Sequence, residues 1–333
     1  MLQLAVPVLP VPALPAVWGN YLMEKKLCIG TRGSNLALWQ ANFIKSEIER
    51  LLPDFCIDLS IIKTTGDRIT DRPLALVGGK GLFVKEIENA LLNKEIDLAV
   101  HSMKDMPNEL PEGLAIGAVP ERANPFDVLI SGEGKLLSDY DKGAKVGTSS
   151  LRRSSQLLHF RSDLKLESIR GNLDTRLRKL DSGEYDAIVL AAAGLIRLQQ
   201  EDRISEYLDE DIMVPAVGQG ALCVESRKDD PKVESVLAAL DHYNTRICVE
   251  GERAFLKRIG GSCHIPVACF GKMVDQEKIL MTAAVGSVDG SQVIKEEIIS
   301  EKDKVRESGA KLAERILEKG GKKILEDLNS NGN

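Results

Sequence analysis

Short apolar runs alternate with amphipathic segments along this chain from Lys25 onward. The apolar runs predict buried strands, and the segments between them have the spacing of helices that cover a core with one face. Strands joined in this way by helices form an α/β fold. At 333 residues the chain is too long for one core of ordinary size, so we expect two or three domains with a deep cleft between them.

The pattern divides the chain into three units and places a hinge between the first two at residues 120–125. For the first unit, residues 23–120, we predict strands at 27–30, 57–62 and 98–100 and helices at 35–52 and 83–93. For the second, residues 125–214, we predict strands at 128–130, 145–147, 166–169 and 187–190 and helices at 151–161 and 173–180. A strand at 221–225 is expected to return the chain to the first unit, which then includes residues 220–240. The third, residues 243–328, has a first helix, strands at 266–270, 280–285 and 292–297, and a helix at 303–319, enough for a small α+β domain.

Composition narrows the possible functions. The formal net charge of −6 disfavours a general nucleic-acid binder, because such a protein neutralises phosphates with a basic surface. The six cysteines contain no C-x-x-C pair, and the four histidines do not cluster with them at zinc spacing. We therefore expect reduced thiols, no metal site and a cytoplasmic protein.

Residues 1–22 are apolar, contain four prolines and have no lysine or arginine. This composition lacks the basic start of a signal peptide and the arginine of a transit peptide, and its prolines argue against a membrane helix. We interpret the segment as a disordered extension, or as an upstream start used in place of Met23.

Two predicted strand-to-helix turns repeat one theme. Gly30-Thr-Arg-Gly-Ser-Asn-Leu36 and Gly147-Thr-Ser-Ser-Leu-Arg-Arg153 each open a helix with Thr, Ser and Arg. The first backbone N–H groups of a helix have no internal partner, so such turns bind anions, and hydroxyl and guanidinium groups strengthen the site. Ordinary N-capping by Ser34, and by Ser149 or Ser150, explains each turn taken alone. The recurrence of such a turn in the first two units favours one anion pocket in each of these units.

Arginine dominates the cations of the second unit. Residues 152–197 contain seven arginines and two lysines. The planar, permanently charged guanidinium suits bidentate binding of carboxylate or phosphate better than lysine does. Ligands of open α/β sheets bind at the ends of strands, where helices begin. The arginines at or near such junctions are Arg152, Arg153, Arg170 and Arg176.

The predicted strand 98–100 is followed directly by His101-Ser-Met-Lys-Asp105. The carboxyl end of a strand is where chemistry is expected in such a sheet. Asp105 could act as an acid, a base or a counter-ion to a positive intermediate, and Lys104 could contact an anion. The alternative is a structural turn that ends at Pro107. We expect His101 to be a packed or capping residue rather than a ligand.

Glycines surround one lysine in Val77-Gly-Gly-Lys-Gly-Leu82. The segment lacks the spacing of a phosphate-binding loop, and no Ser or Thr follows the lysine, so we reject nucleotide binding. Together with residues 64–73 we interpret it as a mobile lid over the cleft. The lid residues are Gly78, Gly79, Lys80 and Gly81.

Cys263 lies in a loop that begins with two glycines, Gly260-Gly-Ser-Cys-His-Ile-Pro266. A thiol is the best nucleophile among ordinary side chains, and the glycines give the backbone freedom to reach a bound group. A free cysteine is also among the most often buried residues, so a packing role is the alternative.

Taken together, these motifs resemble the porphobilinogen deaminase, or hydroxymethylbilane synthase, family over nearly the whole chain from Met23. Several long motifs in the same order are more specific than any one of them. They are the residues at 30–40, 77–86, 99–105, 146–153, 170–172 and 215–220, and the Cys263 loop. The apolar segment before Met23 is not part of the family pattern.

The resemblance implies two lobes like those of type II periplasmic binding proteins with a hinged cleft, plus a small C-terminal α+β domain that bears the cysteine. Members of the family join four porphobilinogen molecules head to tail, release ammonia, and hydrolyse off the linear tetrapyrrole hydroxymethylbilane. Porphobilinogen carries an acetate and a propionate, which accounts for an arginine-lined cleft in an acidic protein. The family also implies a monomer that serves tetrapyrrole and heme biosynthesis.

The resemblance also implies roles for individual residues. Cys263 would carry a dipyrromethane cofactor through a thioether and act as an anchor. Asp105 would stabilise positive charge on pyrrole nitrogens as the amine leaves. The residues matched to cofactor binding are Ser102, Lys104, Thr148, Ser150, Arg152, Arg153 and Arg176. Those matched to substrate or growing-chain carboxylates are Arg32, Ser34, Arg170, Arg176, Arg197 and Gln219.

Two other classes of protein share part of the pattern. A two-lobed anion-binding or transport protein accounts for the paired turns and the hinge, but it requires neither Asp105 nor Cys263. A cysteine-dependent acyl transferase or hydrolase needs a histidine base near the thiol and is inactivated by alkylation. Addition of porphobilinogen separates the three classes, because only the deaminase consumes it.

Overall fold

The computed structural model describes residues 25–68, 82–260 and 265–330. Its first elements are β1 (Lys25–Thr31), α1 (Asn35–Leu51), β2 (Phe55–Ile61), α2 (Thr65–Arg68), α3 (Lys85–Leu92), β3 (Leu98–Ser102), a 3-10 turn (Met103–Asp105) and β4 (Leu114–Ala118). The next are β5 (Asp127–Ser131), β6 (Lys145–Gly147), α4 (Leu151–Phe160), β7 (Lys165–Glu167), α5 (Leu173–Asp181), β8 (Ala187–Ala191), α6 (Ala192–Arg197) and β9 (Glu206–Leu208). The last are β10 (Leu222–Arg227), α7 (Glu234–Leu240), α8 (Tyr243–Arg258), β11 (Val267–Met273), β12 (Lys278–Gly286), β13 (Val293–Glu301), α9 (Val305–Ile316) and α10 (Lys322–Ser330). The interpretation of residues 1–22 lies outside the described residues.

The predicted strands and helices all overlap observed ones, and the α/β fold is confirmed. The helices and strands that the pattern did not predict are α2, β4, β9, α6, α7 and α10. Strand β4 contains Gly117, which weakens a strand signal. The glycine is needed there because α7 packs closely: a Cβ at this position would lie 2.6 Å from Leu237 Cδ2. Helix α10 follows a kink at Gly320, where φ is +113°.

Two five-stranded sheets share one topology. The first has the order β2-β1-β3-β10-β4 and the second has the order β7-β6-β8-β5-β9. In each, four strands run in one direction. The fifth, next to the edge, is antiparallel to them and is the first strand formed after the chain arrives from the other sheet. The chain thus returns to the first sheet through β10. The two sheets form the lobes that the resemblance implies, here called lobe 1 and lobe 2.

Two chain segments connect the lobes, one between β4 and β5 and the other between β9 and β10. The amide of Ala123 in the first segment donates to the carbonyl of Gly220 in the second at 3.2 Å. The side-chain amide of Gln219 donates to the Pro125 carbonyl at 2.7 Å. Gly220 has φ +85°, and a Cβ there would lie 2.6 Å from the Ala123 carbonyl oxygen. Glycine therefore allows the two connecting segments to pack against each other.

A third sheet, of order β11-β12-β13, is antiparallel and lies in the C-terminal domain. Helices α8 and α9 pack against it, and its core contains Phe255, Met281 and Leu312, each fully buried. The helices approach closely at Gly309, where a Cβ would overlap the Gly251 carbonyl. Across the described ranges, no helix is long and apolar enough to span a membrane.

Candidate active site

A tight turn at the carboxyl end of β3 presents Lys104 and Asp105. The buried Met103 anchors the turn, and its amide donates to the Ala221 carbonyl at 3.0 Å. Just before the turn, Gln40 on α1 donates to the Ser102 hydroxyl at 2.9 Å. Asp105 is exposed and Lys104 is half-buried. The polar end of β3 predicted from the sequence is thus a rigid turn with one acid and one base side by side.

This turn borders a cavity of about 180 Å³. All three parts of the molecule contribute to its walls, together with the second connecting segment. The lining residues include Lys104 and Asp105 of lobe 1, Ser150, Arg152 and Arg153 of lobe 2, Gln219 of the connection, and Arg253, Leu256 and Ile265 of the C-terminal domain. Residues far apart in sequence therefore meet at one site, as expected for a cleft between domains.

Burial, followed by the charge of the nearby Arg153 guanidinium, lowers the pKa of Lys104 to about 8, although the carboxylates of Asp105 and Asp127 act in the opposite direction. Positive charge is thus concentrated at this side of the cavity. An anionic ligand bound here would favour the charged form of Lys104, since an opposite charge stabilises an ammonium group.

Asp127 organises the two arginines of the lobe 2 turn. Arg152 donates to Asp127 at 2.8 and 3.1 Å, and Arg153 Nε donates to it at 2.8 Å. The carboxylate is fully buried, and both arginines are less than 10% exposed. Burial alone would raise the pKa of Asp127, but Arg152 and Arg153 hold it at about 2. Asp127 was not identified from the sequence. Both guanidinium groups were assigned to ligand binding, and this internal partner was missed.

The lobe 1 turn differs. The Arg32 guanidinium pairs with Asp67 of α2, with Nε 3.1 Å from Oδ1, and lies over the Phe83 ring at 4.1 Å. The Ser34 hydroxyl accepts from the Ala37 amide at 3.3 Å, which is the capping role that the sequence left open. Among the described residues, neither Arg32 nor Ser34 lines the cavity.

In lobe 2, Ser150 is the N-cap residue of α4 but makes no side-chain capping bond within the described structure. The Ser149 hydroxyl instead donates to the Ile169 carbonyl at 2.6 Å. Thr148 is buried, and its hydroxyl accepts from the Ser150 amide at 3.3 Å. The Ser150 hydroxyl thus lies at the cavity without a structural task in the helix.

The three further arginines named from the sequence, Arg170, Arg176 and Arg197, differ in their surroundings. Burial lowers the pKa of Arg176 to about 10, with further contributions from Arg153 and Arg170. Arg176 Nε donates to the Gly171 carbonyl at 2.9 Å. Burial also lowers the pKa of Arg197 to about 10; this residue donates to the Gly220 carbonyl at 2.8 Å and lies 5.9 Å from the Trp39 ring. The structure thus places Arg153, Arg170 and Arg176 near one another.

His101 is packed, as predicted. Its Nε2 lies 3.1 Å from the Glu225 carboxylate, and both side chains are buried in lobe 1. Glu88 lies close to this pair, and burial together with the Glu225 charge raises the pKa of Glu88 to about 6. Neither glutamate was singled out from the sequence.

The predicted anchor Cys263 and the lid residues Gly78, Gly79, Lys80 and Gly81 lie outside the described residues. Ile265, which directly follows the undescribed residues 261–264, lines the cavity. The other five cysteines are free thiols. Burial raises the pKa of Cys223 well above its usual range and that of Cys248 to about 12, so both are poor nucleophiles.

Comparison with known proteins decides the family. Residues 27–235 match the profile of the porphobilinogen deaminase dipyrromethane cofactor binding domain, and residues 246–318 match the profile of the porphobilinogen deaminase C-terminal domain. The chain belongs to the porphobilinogen deaminase family. The stated resemblance is thereby confirmed, and the chain is an enzyme of the transferase class.

Curated relatives align over nearly their whole length. The porphobilinogen deaminase of Desulforamulus reducens is 46% identical, with 92% of this chain and 99% of that protein covered. That of Pelobacter propionicus is 49% identical, with 91% and 97% covered. Among solved structures, a TRAP periplasmic solute binding protein from Desulfovibrio salexigens is 12% identical, with 66% of this chain and 72% of that chain covered and a TM-score of 0.41.

The cavity suits the cofactor of the porphobilinogen deaminase family. The matched N-terminal domain is the one that binds dipyrromethane. Lys104, Arg152 and Arg153 surround the cavity with cations, which would balance the cofactor carboxylates. The Gln219 side-chain oxygen is buried and has no hydrogen-bond partner in the described part of the chain, so it offers an acceptor for an N–H group.

Proposed function

We propose that this chain is a hydroxymethylbilane synthase, which condenses porphobilinogen molecules head to tail, releases ammonia at each step, and frees the linear tetrapyrrole by hydrolysis. The observation that carries the proposal is the meeting of Asp105 with Lys104, Arg152 and Arg153 around one cavity. A single acid beside several cations suits a substrate that carries carboxylates and develops positive charge. A two-lobed binding protein without chemistry has no need for that acid.

Asp105 is the proposed catalytic residue. Asp105 lies on a turn whose backbone is held by the Met103 amide, and it lines the cavity before any charge develops there. A carboxylate held beside a developing positive charge lowers the energy of the transition state, and the effect is largest where water is partly excluded. We assign to Asp105 the stabilisation of positive charge on pyrrole N–H groups as the amine leaves.

The cations hold carboxylates. Arg152 and Arg153 are fixed by Asp127, so their remaining N–H groups are oriented before a ligand arrives. We propose that Ser102, Lys104, Thr148, Ser150, Arg152, Arg153 and Arg176 bind the cofactor. We propose that Arg32, Ser34, Arg170, Arg176, Arg197 and Gln219 bind substrate or the growing chain.

When bound, dipyrromethane supplies the primer on which the chain is built. We propose that Cys263 attaches it through a thioether. Ile265 lines the cavity, and Cys263 precedes it by only two residues, so chain connectivity supports an attachment point at this site. The buried thiols of Cys223, Cys248 and Cys269 have raised pKa values and do not compete for this role.

Intact mass measurement tests the proposal. We expect the purified protein to exceed its sequence mass by two linked pyrrole units and to form heavier species when porphobilinogen is added. Cys263→Ser should carry no added mass, whereas Cys56→Ser, a change at a half-buried cysteine on β2, should retain it. A wild-type protein that stays unmodified after incubation with porphobilinogen or hydroxymethylbilane would favour the binding protein instead.

We propose that the enzyme acts as a cytoplasmic monomer in tetrapyrrole and heme biosynthesis. Porphobilinogen and the growing polypyrrole are its proposed partners, with no nucleic acid and no membrane. The net charge of −6 supports the absence of a nucleic-acid partner. Light scattering of the purified protein measures the oligomeric state directly.

A further inference from the structure

Glu252 of helix α8 is a buried carboxylate that joins three separate segments. Its Oε1 accepts from Arg122 at 2.8 Å and from the Gly271 amide at 2.9 Å. Its Oε2 accepts from Arg122 at 2.8 Å and from the Gly218 amide at 2.7 Å. The residue is 0% exposed. Arg122 lies in the first connection between the lobes, Gly218 in the second, and Gly271 in the C-terminal sheet.

The face of α8 that carries Glu252 is turned toward the proposed catalytic turn. Val249, Glu252, Arg253 and Leu256 follow the i, i+3, i+4, i+7 spacing of one helix face. Val249 packs in the cluster that contains Met103 and Met106. Arg253 donates to the Pro107 carbonyl at 2.7 Å, just beyond Asp105, and Leu256 lines the cavity.

The Gly218 segment packs directly against the same turn. Gly218 has φ +69°, and a Cβ there would lie 2.5 Å from Met103 Cγ and 3.2 Å from the Lys104 amide nitrogen. The next residue is Gln219, whose side chain lines the cavity. A shift of Gly218 therefore changes the distance between the Gln219 wall of the cavity and the Asp105 wall.

Stability alone does not explain an ion pair at this position. Replacing a buried pair by apolar side chains of similar volume is often neutral for folding, because burial of two charges costs as much as their attraction returns. An apolar pair, however, could not accept hydrogen bonds from the Gly218 and Gly271 amides. The Glu252 carboxylate pairs with Arg122 and also accepts hydrogen bonds from these two amides, beside the cavity.

We propose that Glu252 is a positioning residue for the reaction, which holds the Gly218–Gln219 segment against the turn that carries Asp105 and ties the first interlobe connection to the C-terminal domain. This inference rests on the proposed function. It assigns to the C-terminal domain a second task besides bearing the cofactor: it sets the width of the cavity through α8.

Glu252→Gln and the double change Arg122→Met with Glu252→Leu test the proposal. Glutamine keeps one acceptor oxygen, but its amide would face one of the two backbone N–H groups. We expect kcat per cofactor-loaded enzyme to fall about 10- to 100-fold in both variants, as a small displacement of reacting groups predicts. We also expect faster hydrogen exchange in a peptide that spans residues 214–222. Both variants should melt below wild type, Glu252→Gln because it leaves the Arg122 charge unpaired and the double variant because it leaves the Gly218 and Gly271 amides without an acceptor.

Glu250→Gln is the matched control, since Glu250 pairs with Arg306 on the exposed side of the same helix. It should leave kcat, KM and exchange of residues 214–222 unchanged. A double variant with wild-type kcat would overturn the positioning role, and so would Glu252→Gln with unchanged kcat and exchange. Cofactor mass on the wild-type protein tests the proposed function separately: if wild type carries no cofactor, the function fails, whereas a loaded wild type with fully active variants refutes only the role of Glu252.

Discussion

The strand-to-helix turns of the two lobes have similar sequences but different surroundings. In lobe 1, Arg32 pairs with Asp67 at a partly exposed site, and Ser34 caps its own helix. In lobe 2, Arg152 and Arg153 are buried around Asp127, and the Ser150 hydroxyl makes no capping bond within the described residues. Only the lobe 2 turn lines the cavity, among the residues that the structure describes.

The difference shows that the turn motif determines which cations are present. The tertiary fold determines which carboxylates of the protein they pair with and whether they line the cavity. Asp67 lies on the short helix α2 at a partly exposed site, so the Arg32 ion pair can exchange with water or a ligand at modest cost. Asp127 is the first residue of β5 in the lobe 2 sheet and is fully buried, so it holds two guanidinium groups in place. Of the two turns, the lobe 2 turn therefore has its cations held more firmly by the protein itself.

The largest expected effect is the loss of Asp105. We predict that Asp105→Ala lowers kcat at least about 100-fold, because it removes the charge that stabilises the transition state. The protein should remain folded, since Asp105 is exposed. Porphobilinogen consumption and the melting temperature measure the two effects. Asp67→Ala, which removes the acid of the lobe 1 turn instead, should reduce kcat much less; equal losses would mean that the two turns do not differ in the way described.

The next effect concerns the rigidity of the lobe 2 turn. Asp127→Asn leaves two buried guanidinium groups without a counter-charge, and breaking a buried pair in this way costs about 3–5 kcal/mol. We expect a markedly lower melting temperature and loss of cofactor loading. Asp163→Asn is the control, because Asp163 pairs with Arg161 at a partly exposed position in the same lobe and should matter far less for stability.

The pH dependence of this prediction follows from the pKa of Asp127. The pKa is about 2 in the folded protein, below the value of about 3.9 for an unfolded aspartate. A lowered pKa contributes stability that is fully present above about pH 4 and is lost as the pH falls toward 2. The melting temperatures of wild type and Asp127→Asn should therefore converge over that interval. A difference that is the same at pH 3 and pH 7 would contradict the ion-pair interpretation.

Local patterns predicted most of the helices and strands and most of the polar residues that line the cavity. Asp105, Lys104, Arg152 and Arg153 follow strand ends, and strand ends meet at one edge of each sheet, so their convergence could be expected. Asp127 could not be identified, because its partners lie 25 and 26 residues away and no periodic pattern connects them.

Glu252 has a weaker signal in the sequence. It interrupts an apolar helix face with a charge, and a buried charge on such a face requires a partner. The sequence does not reveal that this partner is Arg122, 130 residues away. The arginine roles were harder to predict for the same reason, since each depends on which acid or carbonyl the fold brings near.

The smallest effect separates the two serines. Ser34→Ala removes an observed cap and should lower stability by about 1 kcal/mol. Ser150→Ala removes a hydroxyl that lines the cavity without capping its helix, so it should change stability by less than about 0.5 kcal/mol. We expect the reverse order for cofactor loading, as followed by intact mass: Ser150→Ala should load more slowly, while Ser34→Ala should load normally. Because the two serines occupy matching places in similar turns, equal melting temperatures and equal loading would show that their different hydrogen bonds have no functional consequence. If Ser34→Ala lowers only stability and Ser150→Ala lowers only loading, then the cofactor depends on the hydroxyl of the lobe 2 turn and not on that of the lobe 1 turn.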